Sequence, residues 1–281
     1  MALSAAKIGY MTKIKDRCVL ITGGASGIGR IMGRMALERG ARHLVVWDIN
    51  EADGAALGAE AGRPSAVTCY RVDVSDSAAV AETYERVKRE CGDVDILVNC
   101  AGIVTGNKTF DSMSQDEIER TMAINATAPM TLARQMLPGM IERNAGHICN
   151  IASAAGMISN PRMSVYVASK WAVIGWSDSM RIELQQAHSN VHVTTVAPYY
   201  INTGMFDGVH SRILPILKPE PTARKIIRAI ERNTDFCGIP LGFHLIRFFQ
   251  GILPVSWFDT IFGHWCGIFS TMDNFTGRRG K

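Results

Sequence analysis

The sequence predicts an α/β fold: a doubly wound parallel sheet in a single domain, followed by an apolar, aromatic C-terminal extension. Short apolar runs alternate along the chain with stretches of helical periodicity, the pattern of strands joined by right-handed helical crossovers. Most of these runs are apolar throughout, as in parallel strands covered on both faces. No internal repeat or low-complexity linker divides the chain, so we assign residues 1–240 to the domain and 241–281 to the extension.

Seven apolar runs are predicted strands, the last less clearly marked than the others. In chain order they cover residues 18–22, 43–48, 67–74, 95–99, 147–153, 191–197 and 236–240. Helical periodicity is clear over residues 29–40 and 78–91, between strands. Ligands of open α/β sheets bind outside the carboxyl ends of the strands, so we look for a site there.

The composition argues against several classes of function. The formal net charge is +4 and the basic residues are scattered, so nothing indicates nucleic-acid binding. The seven cysteines include no CxxC pair, which favours a reducing compartment without disulfides. His188 and His192 are four residues apart, but the helix-ending Ser189 and Asn190 lie between them. We therefore expect no metal site and no zinc-dependent chemistry.

A glycine-rich turn follows the first predicted strand. The string CVLITGGASGIGR reads as strand, turn and helix start, and Gly23, Gly27 and Gly29 stand where a side chain would block a pyrophosphate. The free N–H groups at the start of the next helix would face that anion. Glycine-rich turns are common on their own. The strand before and the helix after favour a Rossmann dinucleotide site.

Polar groups stand at the next three strand ends. Asp48 follows the glycine turn by about 20 residues, where a carboxylate accepts hydrogen bonds from the adenosine ribose and repels a 2′-phosphate. This favours NAD over NADP, although a solvated strand-end aspartate is the alternative. Asp73 ends the third strand, in place to bind the adenine amino group. Asn99, Ala101 and Gly102 end the fourth.

The chemistry is predicted at Tyr166 and Lys170, in the string YVASK. On a helix these side chains share one face, and an ammonium about 4 Å from a phenol supplies about 4 kcal/mol at an effective dielectric of about 20. That amount brings a phenol pKa from about 10 to about 7, which makes Tyr166 a general base. A chance pair is the alternative. Ser153 favours catalysis because its hydroxyl can bind the reacting oxygen. Asn125 is placed to anchor a water that relays protons from Lys170.

These motifs match, in order and spacing, those of the short-chain dehydrogenase/reductase superfamily, which the chain resembles over about residues 16–240. The resemblance implies a catalytic tetrad of Asn125, Ser153, Tyr166 and Lys170. The cofactor contacts that it implies are Gly23, Ser26, Gly27, Ile28, Gly29, Asp48, Asp73, Val74, Asn99, Ala101, Gly102, Tyr166, Lys170, Pro198, Ile201 and Thr203. Ser26 replaces the basic residue typical of NADP-dependent members, and Cys100 replaces a second asparagine.

Within the superfamily, residues 198–208 and 217–220 resemble the retinol dehydrogenase and 17β-hydroxysteroid dehydrogenase-like group. The resemblance implies a lipophilic substrate such as a sterol or retinoid. Members commonly associate through the helix that bears the catalytic tyrosine, so it also implies a homodimer or homotetramer, with Trp171 and Trp176 on that helix.

The predicted substrate lid covers about residues 203–219 and includes Ile213. Its apolar side chains, with others that follow Ser153, indicate a pocket for a hydrophobic alcohol. The predicted pocket residues are Met157, Met163, Tyr199, Met205 and Phe206. Simple packing of the lid on the domain is an almost equal alternative.

The extension has three open interpretations. Its residues 241–270 are rich in aromatic side chains but interrupted by polar ones, so they do not form a simple transmembrane helix. They cover the substrate pocket, form a subunit interface or lie in a membrane surface. Packing is favoured over membrane contact, because aromatic side chains at helical spacing are more often buried. The amino-terminal segment 1–16 lacks the apolar core of a signal peptide, so we expect a cytoplasmic protein, with membrane association as the alternative.

The sequence therefore predicts an oxidoreductase that transfers a hydride between NAD(H) and a hydrophobic alcohol, ketone or aldehyde. Two alternatives stay open. One is an NADPH-dependent carbonyl or ketoacyl reductase, which Asp48 disfavours. The other is a catalytically silent nucleotide-binding scaffold on the same fold, which an intact tetrad disfavours.

Overall fold

The structure is a computed structural model that describes residues 11–105, 107–212 and 214–277, and for residues 51–55 and 243–244 the backbone alone. Most of the amino-terminal segment, residues 1–10, and Ile213 of the lid lie outside the described residues.

The described chain alternates strands and helices as predicted. The strands are β1 Cys18–Thr22, β2 His43–Asp48, β3 Val67–Arg71, β4 Ile96–Asn99, β5 Gly146–Ile151, β6 Val191–Pro198 and β7 Phe236–Ile239. The helices are α1 Gly27–Glu38, α2 Glu51–Glu60, α3 Ser77–Cys91, α4 Gln115–Met122, α5 Ala128–Glu142, α6 Ser164–Gln186, α7 Pro219–Glu231, α8 Phe243–Ile252 and α9 Val255–Phe258. All strand pairs are parallel, in the order β3-β2-β1-β4-β5-β6-β7. The predicted doubly wound sheet is confirmed.

Helices bury both faces of the sheet. Alternate side chains of a strand point to opposite sides, so apolar strands supply two cores. On one side Leu20 and Trp47 pack with side chains of α3, α5 and α6. On the other side Ile21 and Val46 pack with side chains of α1 and α7. This three-layer packing fixes the strand ends that carry the site.

The strand order reverses at β1, which pairs with β2 on one side and β4 on the other. Thr22 at the end of β1 is in register with Asn99 at the end of β4. Open α/β sheets bind ligands in the crevice at such a reversal. The fold therefore places a ligand crevice between the loops that follow β1 and β4.

Two strands end more than one residue earlier than predicted. β3 stops at Arg71 rather than at residue 74, because the carboxylate of Asp73 accepts hydrogen bonds from the backbone N–H (2.9 Å) and hydroxyl (2.6 Å) of Ser75 and turns the chain. β5 stops at Ile151 rather than at residue 153, because Ser153 caps a short 3₁₀ helix. The other predicted ends agree with the structure or differ by one residue.

The two predicted helices are present with shifted ends. α1 begins at Gly27, two residues before the predicted start. α3 begins after Asp76, whose carboxylate accepts the backbone N–H groups of the first turn as an N-cap. α6 ends before His188, which has a φ of 52°, so His188 and His192 do not share a helical face.

The extension forms α8, α9 and a π-helical segment, Asp259–Trp265. Its Ile246, Phe258 and Ile268 are buried together with Met157 of the domain. Other apolar side chains of the extension are exposed: Leu241, Leu245, Phe248, Ile252, Val255, Trp257 and Trp265. Within the described residues, no helix is both long enough and apolar enough to cross a membrane.

Candidate active site

A cavity of about 310 Å³ lies at the carboxyl edge of the sheet. It extends from the glycine-rich turn after β1 to apolar side chains of the lid and the extension. The predicted site residues in its wall are Gly23, Ser26, Gly27, Ile28, Gly29, Asp48, Asp73, Val74, Ala101, Gly102, Ser153, Met163, Tyr166, Lys170, Pro198, Tyr199, Ile201, Thr203, Met205 and Phe206. Asn99, Asn125 and Met157 are not part of this wall.

The glycine-rich turn leaves room for an anion at the start of α1. A Cβ on Gly29 would lie 2.2 Å from the carbonyl oxygen of Gly23, and a Cβ on Gly23 would lie 2.9 Å from the Cα of Ala101. Gly27 adopts a φ of +54°. Within the described part of the chain, Ser26 makes no side-chain capping bond, so the first N–H groups of α1 are available. This cradle fits a dinucleotide pyrophosphate.

Backbone hydrogen bonds fix the carboxylate of Asp48 in the cavity wall. Its Oδ2 accepts the N–H of Ala25 (3.0 Å) and its Oδ1 accepts the N–H of Asn50 (3.1 Å). Each carboxylate oxygen has a further lone pair, so both can also accept hydrogen bonds from hydroxyl groups. The geometry of this end of the cavity therefore fits the ribose of a dinucleotide.

Asp73 lies further along the same end. Hydrogen bonds from Ser75 hold the pKa of its carboxyl below the ordinary value. Arg120 of α4 also lines this part of the wall, although no motif marks it in the sequence. The two opposite charges frame the end of the cavity where the adenine moiety is expected.

Asn99 serves the fold and not the cavity wall. Its side chain is 3% exposed, and its Nδ2 donates to Oδ1 of Asn150 on the neighbouring strand (2.7 Å). The alternation of β4 directs this side chain into the covered face and away from the cavity, and contact between Asn99 and a cofactor stays a prediction. The sequence reasoning missed Thr22, whose hydroxyl oxygen accepts the N–H groups of Cys100 (3.0 Å) and Ala101 (3.1 Å) and so positions the loop after β4.

Tyr166 and Lys170 stand one turn apart on α6, as predicted. The Lys170 ammonium lies 5.7 Å from the centroid of the Tyr166 ring, and its Nζ donates to the carbonyl oxygen of Ile151 (3.0 Å). The Ser153 hydroxyl lies beside the Tyr166 phenol, close enough to lower its pKa. Three groups needed for proton transfer from an alcohol thus meet in one buried place.

The two ionisable groups are shifted towards their neutral forms. Burial raises the pKa of Tyr166 to about 12, opposed by the hydrogen bond from Ser153. Burial lowers the pKa of Lys170 to about 8, and the neighbouring Cys100 opposes this shift. Burial thus opposes the lowering of the Tyr166 pKa expected from Lys170 and a positive nicotinamide ring, and the acid/base role of Tyr166 stays a prediction.

Asn125 holds the loop after β4 against α6. It lies in a π-helical segment, Ala123–Thr127, between α4 and α5, and is 1% exposed. Its Oδ1 accepts the N–H of Ile103 (2.8 Å), and its Nδ2 donates to the carbonyl oxygen of Ile103 (2.9 Å) and to Oγ of Ser169 (3.2 Å). This amide therefore positions two elements of the site, and its role as the anchor of a relay water stays a prediction.

The apolar end of the cavity draws on three separate segments. The predicted Met163, Tyr199, Met205 and Phe206 line it, and the Phe206 ring lies 6.1 Å from the ring of Tyr166. Met157 is not part of this wall but is buried together with Ile246 and Phe258 of the extension, and its place in the substrate pocket stays a prediction. The wall residues that sequence reasoning did not assign to the pocket include Ile158, Asn160, Tyr200, Ile268 and Thr271. Ile268 and Thr271 belong to the extension, so no local pattern around Tyr166 could have marked them.

The extension is hydrogen-bonded to the lid and to the loop after β4. The N–H of Thr276 donates to the carbonyl oxygen of Asp207 (2.9 Å), and a Cβ on Gly208 would lie 2.0 Å from the carbonyl oxygen of Asn274. Nδ2 of Asn107 donates to the carbonyl oxygen of Met272 (2.8 Å). Over the ranges that the structure describes, no group of three or more His, Cys, Asp or Glu is placed to hold a metal ion.

The comparisons with known proteins show the family of the chain. Residues 17–213 match the family described as short chain dehydrogenase. The chain is 38% identical to epidermal retinol dehydrogenase 2 of Mus musculus, covering 95% of this chain and 88% of that protein. It is 34% identical to retinol dehydrogenase 10 of Homo sapiens, covering 90% and 84%. The crystal structure of a short-chain dehydrogenase/reductase from Burkholderia phymatum in complex with NAD has the same fold, with a TM-score of 0.77 at 24% identity, covering 86% of this chain and 95% of that one. The chain belongs to the short-chain dehydrogenase family and is similar to its retinol dehydrogenases.

Proposed function

We propose that the protein is an NAD(H)-dependent dehydrogenase that oxidises a lipophilic alcohol of retinoid, steroid or long-chain type, with Tyr166 as the acid/base. One observation carries the proposal: the Ser153, Tyr166 and Lys170 side chains meet in a cavity with an anion cradle and a carboxylate at one end and an apolar wall at the other. The chain's membership in a dehydrogenase family supports it.

The residues of the cofactor end support NAD. The glycine cradle and the free N–H groups of α1 would hold the pyrophosphate, and Asp48 would accept the ribose hydroxyls and repel a 2′-phosphate. When bound, the nicotinamide supplies the hydride acceptor or donor. The solved structure from Burkholderia phymatum contains NAD, which agrees with this assignment.

The chain's own residues would handle the proton. Ser153 and Tyr166 would bind the substrate oxygen, and the Tyr166 phenolate would take the alcohol proton. Bringing the phenol pKa from about 12 to about 8 requires about 5 kcal/mol of positive potential. The Lys170 ammonium supplies part of this potential, and its hydrogen bond to Ile151 holds it beside the phenol. In reduction, the neutral phenol would return the proton to the carbonyl oxygen.

The apolar end of the cavity supports a lipophilic substrate. Met163, Met205, Phe206 and Ile268 line it, so an aliphatic or polyene chain would be buried there. The similar proteins named retinol dehydrogenases are consistent with this class.

The test is a screen of retinol, hydroxysteroids and aliphatic alcohols as substrates with NAD, followed by the absorbance of NADH. A parallel screen uses NADP in place of NAD. We expect turnover of apolar alcohols with NAD, abolished in Tyr166→Phe. Tyr84→Phe is the matched control, because it removes a buried phenol hydroxyl on α3, far from the cavity. A preference for NADP would support the reductase alternative. Dinucleotide binding without turnover of any alcohol would support the silent scaffold.

We also propose a homodimer or homotetramer that associates through α6. Trp171 on this helix is 44% exposed, which leaves an aromatic side chain for a subunit contact, whereas Trp176 packs against the core. Light scattering should give a dimer or tetramer mass for the wild-type protein and a smaller mass for Trp171→Glu. A monomeric wild-type protein would exclude this assembly.

For the extension, we propose peripheral contact with a membrane surface in addition to its place in the cavity wall. Exposed apolar side chains such as Leu241 (80%), Val255 (77%) and Trp265 (76%) support it. Flotation with liposomes should carry the wild-type protein and leave behind Trp257→Glu with Trp265→Glu. A wild-type protein that does not float with liposomes would refute this contact and would favour the expectation of a cytoplasmic protein.

A further inference from the structure

A buried amide stands in the apolar end of the cavity. Asn160 is 8% exposed and forms part of the wall, in the segment between Ser153 and Tyr166. Two hydroxyl-bearing wall residues, Tyr200 and Thr271, contact it through hydrogen bonds. The proton transfer described above does not use this group.

The hydrogen bonds fix the orientation of the amide. The Thr271 hydroxyl donates to the carbonyl oxygen of Ile268 (2.9 Å), so its oxygen is an acceptor for other groups. Nδ2 of Asn160 donates to that oxygen (2.8 Å) and to the phenol oxygen of Tyr200 (3.0 Å). Both amide hydrogens are thereby used. A flipped amide would set its oxygen against a Thr271 oxygen that has no proton to give.

The amide oxygen of Asn160 is left without a partner. Among the described residues nothing donates to its Oδ1, which is buried. Buried polar groups in folded proteins are nearly always paired, so an unpaired acceptor in the wall of a ligand cavity indicates a donor on the ligand.

This acceptor and the reacting phenol have different neighbours. Asn160 bonds to Tyr200 and Thr271, whereas Lys170 and Ser153 lie beside the Tyr166 phenol. The Phe206 ring lies 5.0 Å from the ring of Tyr200 and 6.1 Å from the ring of Tyr166. A donor that reaches Asn160 therefore belongs to a different part of the substrate from the oxygen bound by Tyr166.

We propose that Asn160 is a specificity residue that accepts a hydrogen bond from a second hydroxyl of the substrate. The inference rests on the proposed function and narrows its substrate class to lipophilic molecules with two oxygen groups joined by an apolar skeleton. Oxidation at one end leaves the second hydroxyl unchanged, bound to Oδ1 of Asn160.

The test compares 1-alkanols with α,ω-alkanediols of the same length, using NAD and a series of chain lengths. We expect the diol to be favoured in kcat/KM by about tenfold at the one length that spans Tyr166 and Asn160, which corresponds to about 1.4 kcal/mol. At other lengths the diol should be a poorer substrate than the 1-alkanol, because its second hydroxyl is then buried without a hydrogen-bond partner.

Asn160→Leu should abolish the diol preference, because leucine has similar size and no acceptor. Ile158→Val is the matched control, since it alters the shape of the wall without a polar group and should keep the preferred diol length. The length series with the wild-type protein is decisive even if Asn160→Leu does not fold.

The outcomes separate this inference from the proposed function. Equal turnover of diols and alkanols at every length, or a preference that persists in Asn160→Leu, would overturn the role of Asn160 and leave the dehydrogenase proposal intact. Absence of turnover with every alcohol would overturn both.

Discussion

Replacement of Asp48 by asparagine should shift the cofactor preference from NAD towards NADP. Both carboxylate oxygens are held by backbone N–H groups, those of Ala25 (3.0 Å) and Asn50 (3.1 Å), so the charge has a fixed place in the cavity wall. Asp48→Asn removes that charge at constant volume. It keeps one oxygen acceptor and places an amide N–H₂ where the other oxygen stood.

The magnitude follows from two effects. A carboxylate about 4 Å from a phosphate charge costs about 4 kcal/mol at an effective dielectric of about 20, and partial exposure reduces this to about 2 kcal/mol. Loss of a charged hydrogen-bond acceptor for the ribose hydroxyls weakens the binding of NAD by about 1 kcal/mol. Together they change the ratio of kcat/KM for NAD over NADP by about a hundredfold.

The assay is kcat/KM for both cofactors with one alcohol at saturation. Asp73→Asn is the matched control, because it neutralises another carboxylate of the same cavity, and it should change the ratio by less than about threefold. A ratio that Asp48→Asn leaves unchanged would refute the assignment of the ribose to this carboxylate.

Three further predictions test the fold and the cofactor end of the site. Burial lowers the pKa of His147 to about 3, so the imidazole stays neutral in the folded protein. The free energy of unfolding should therefore fall as the pH drops from the unfolded pKa of about 6.5 towards 3, with a loss of about 2 kcal/mol at pH 5. Urea unfolding should show this loss in the wild-type protein and not in His147→Gln. Gly29→Ala should weaken NAD binding at least about tenfold in a fluorescence titration, since its Cβ would lie 2.2 Å from a backbone oxygen, whereas Gly251→Ala, with nothing within 4 Å, should not. Asn125→Ala should lower the free energy of unfolding by about 2 to 4 kcal/mol by leaving the N–H and carbonyl of Ile103 unpaired, and an unchanged urea midpoint would contradict its positioning role.

The sequence was sufficient for the features that depend on local pattern. The apolar runs marked all seven strands, and the glycine turn, Asp48 and the Tyr166–Lys170 pair follow from their register at strand ends and on a helix. Strand ends at Arg71 and Ile151 were missed, because side chains of Asp73 and Ser153 turn the chain there in ways that hydrophobicity does not encode.

The features that sequence reasoning missed depend on contacts between distant segments. Asn99 is adjacent to the cavity in sequence but bonds to Asn150 on the next strand. Thr271 reaches the wall from the extension, and its bond to Asn160 joins residues separated by 111 positions. The net direction of the Tyr166 pKa depends on burial by all these segments together, which the spacing to Lys170 does not contain.

The central claim, that the Tyr166 phenol exchanges the substrate proton, is tested most directly by the pH dependence of alcohol oxidation. The account predicts that wild-type kcat/KM rises with pH through an ionisation well below about 12, and that Tyr166→Phe loses this rise together with about 10³-fold in rate. A Tyr166→Phe protein that oxidises alcohol at the wild-type rate, with the same pH profile, would contradict it.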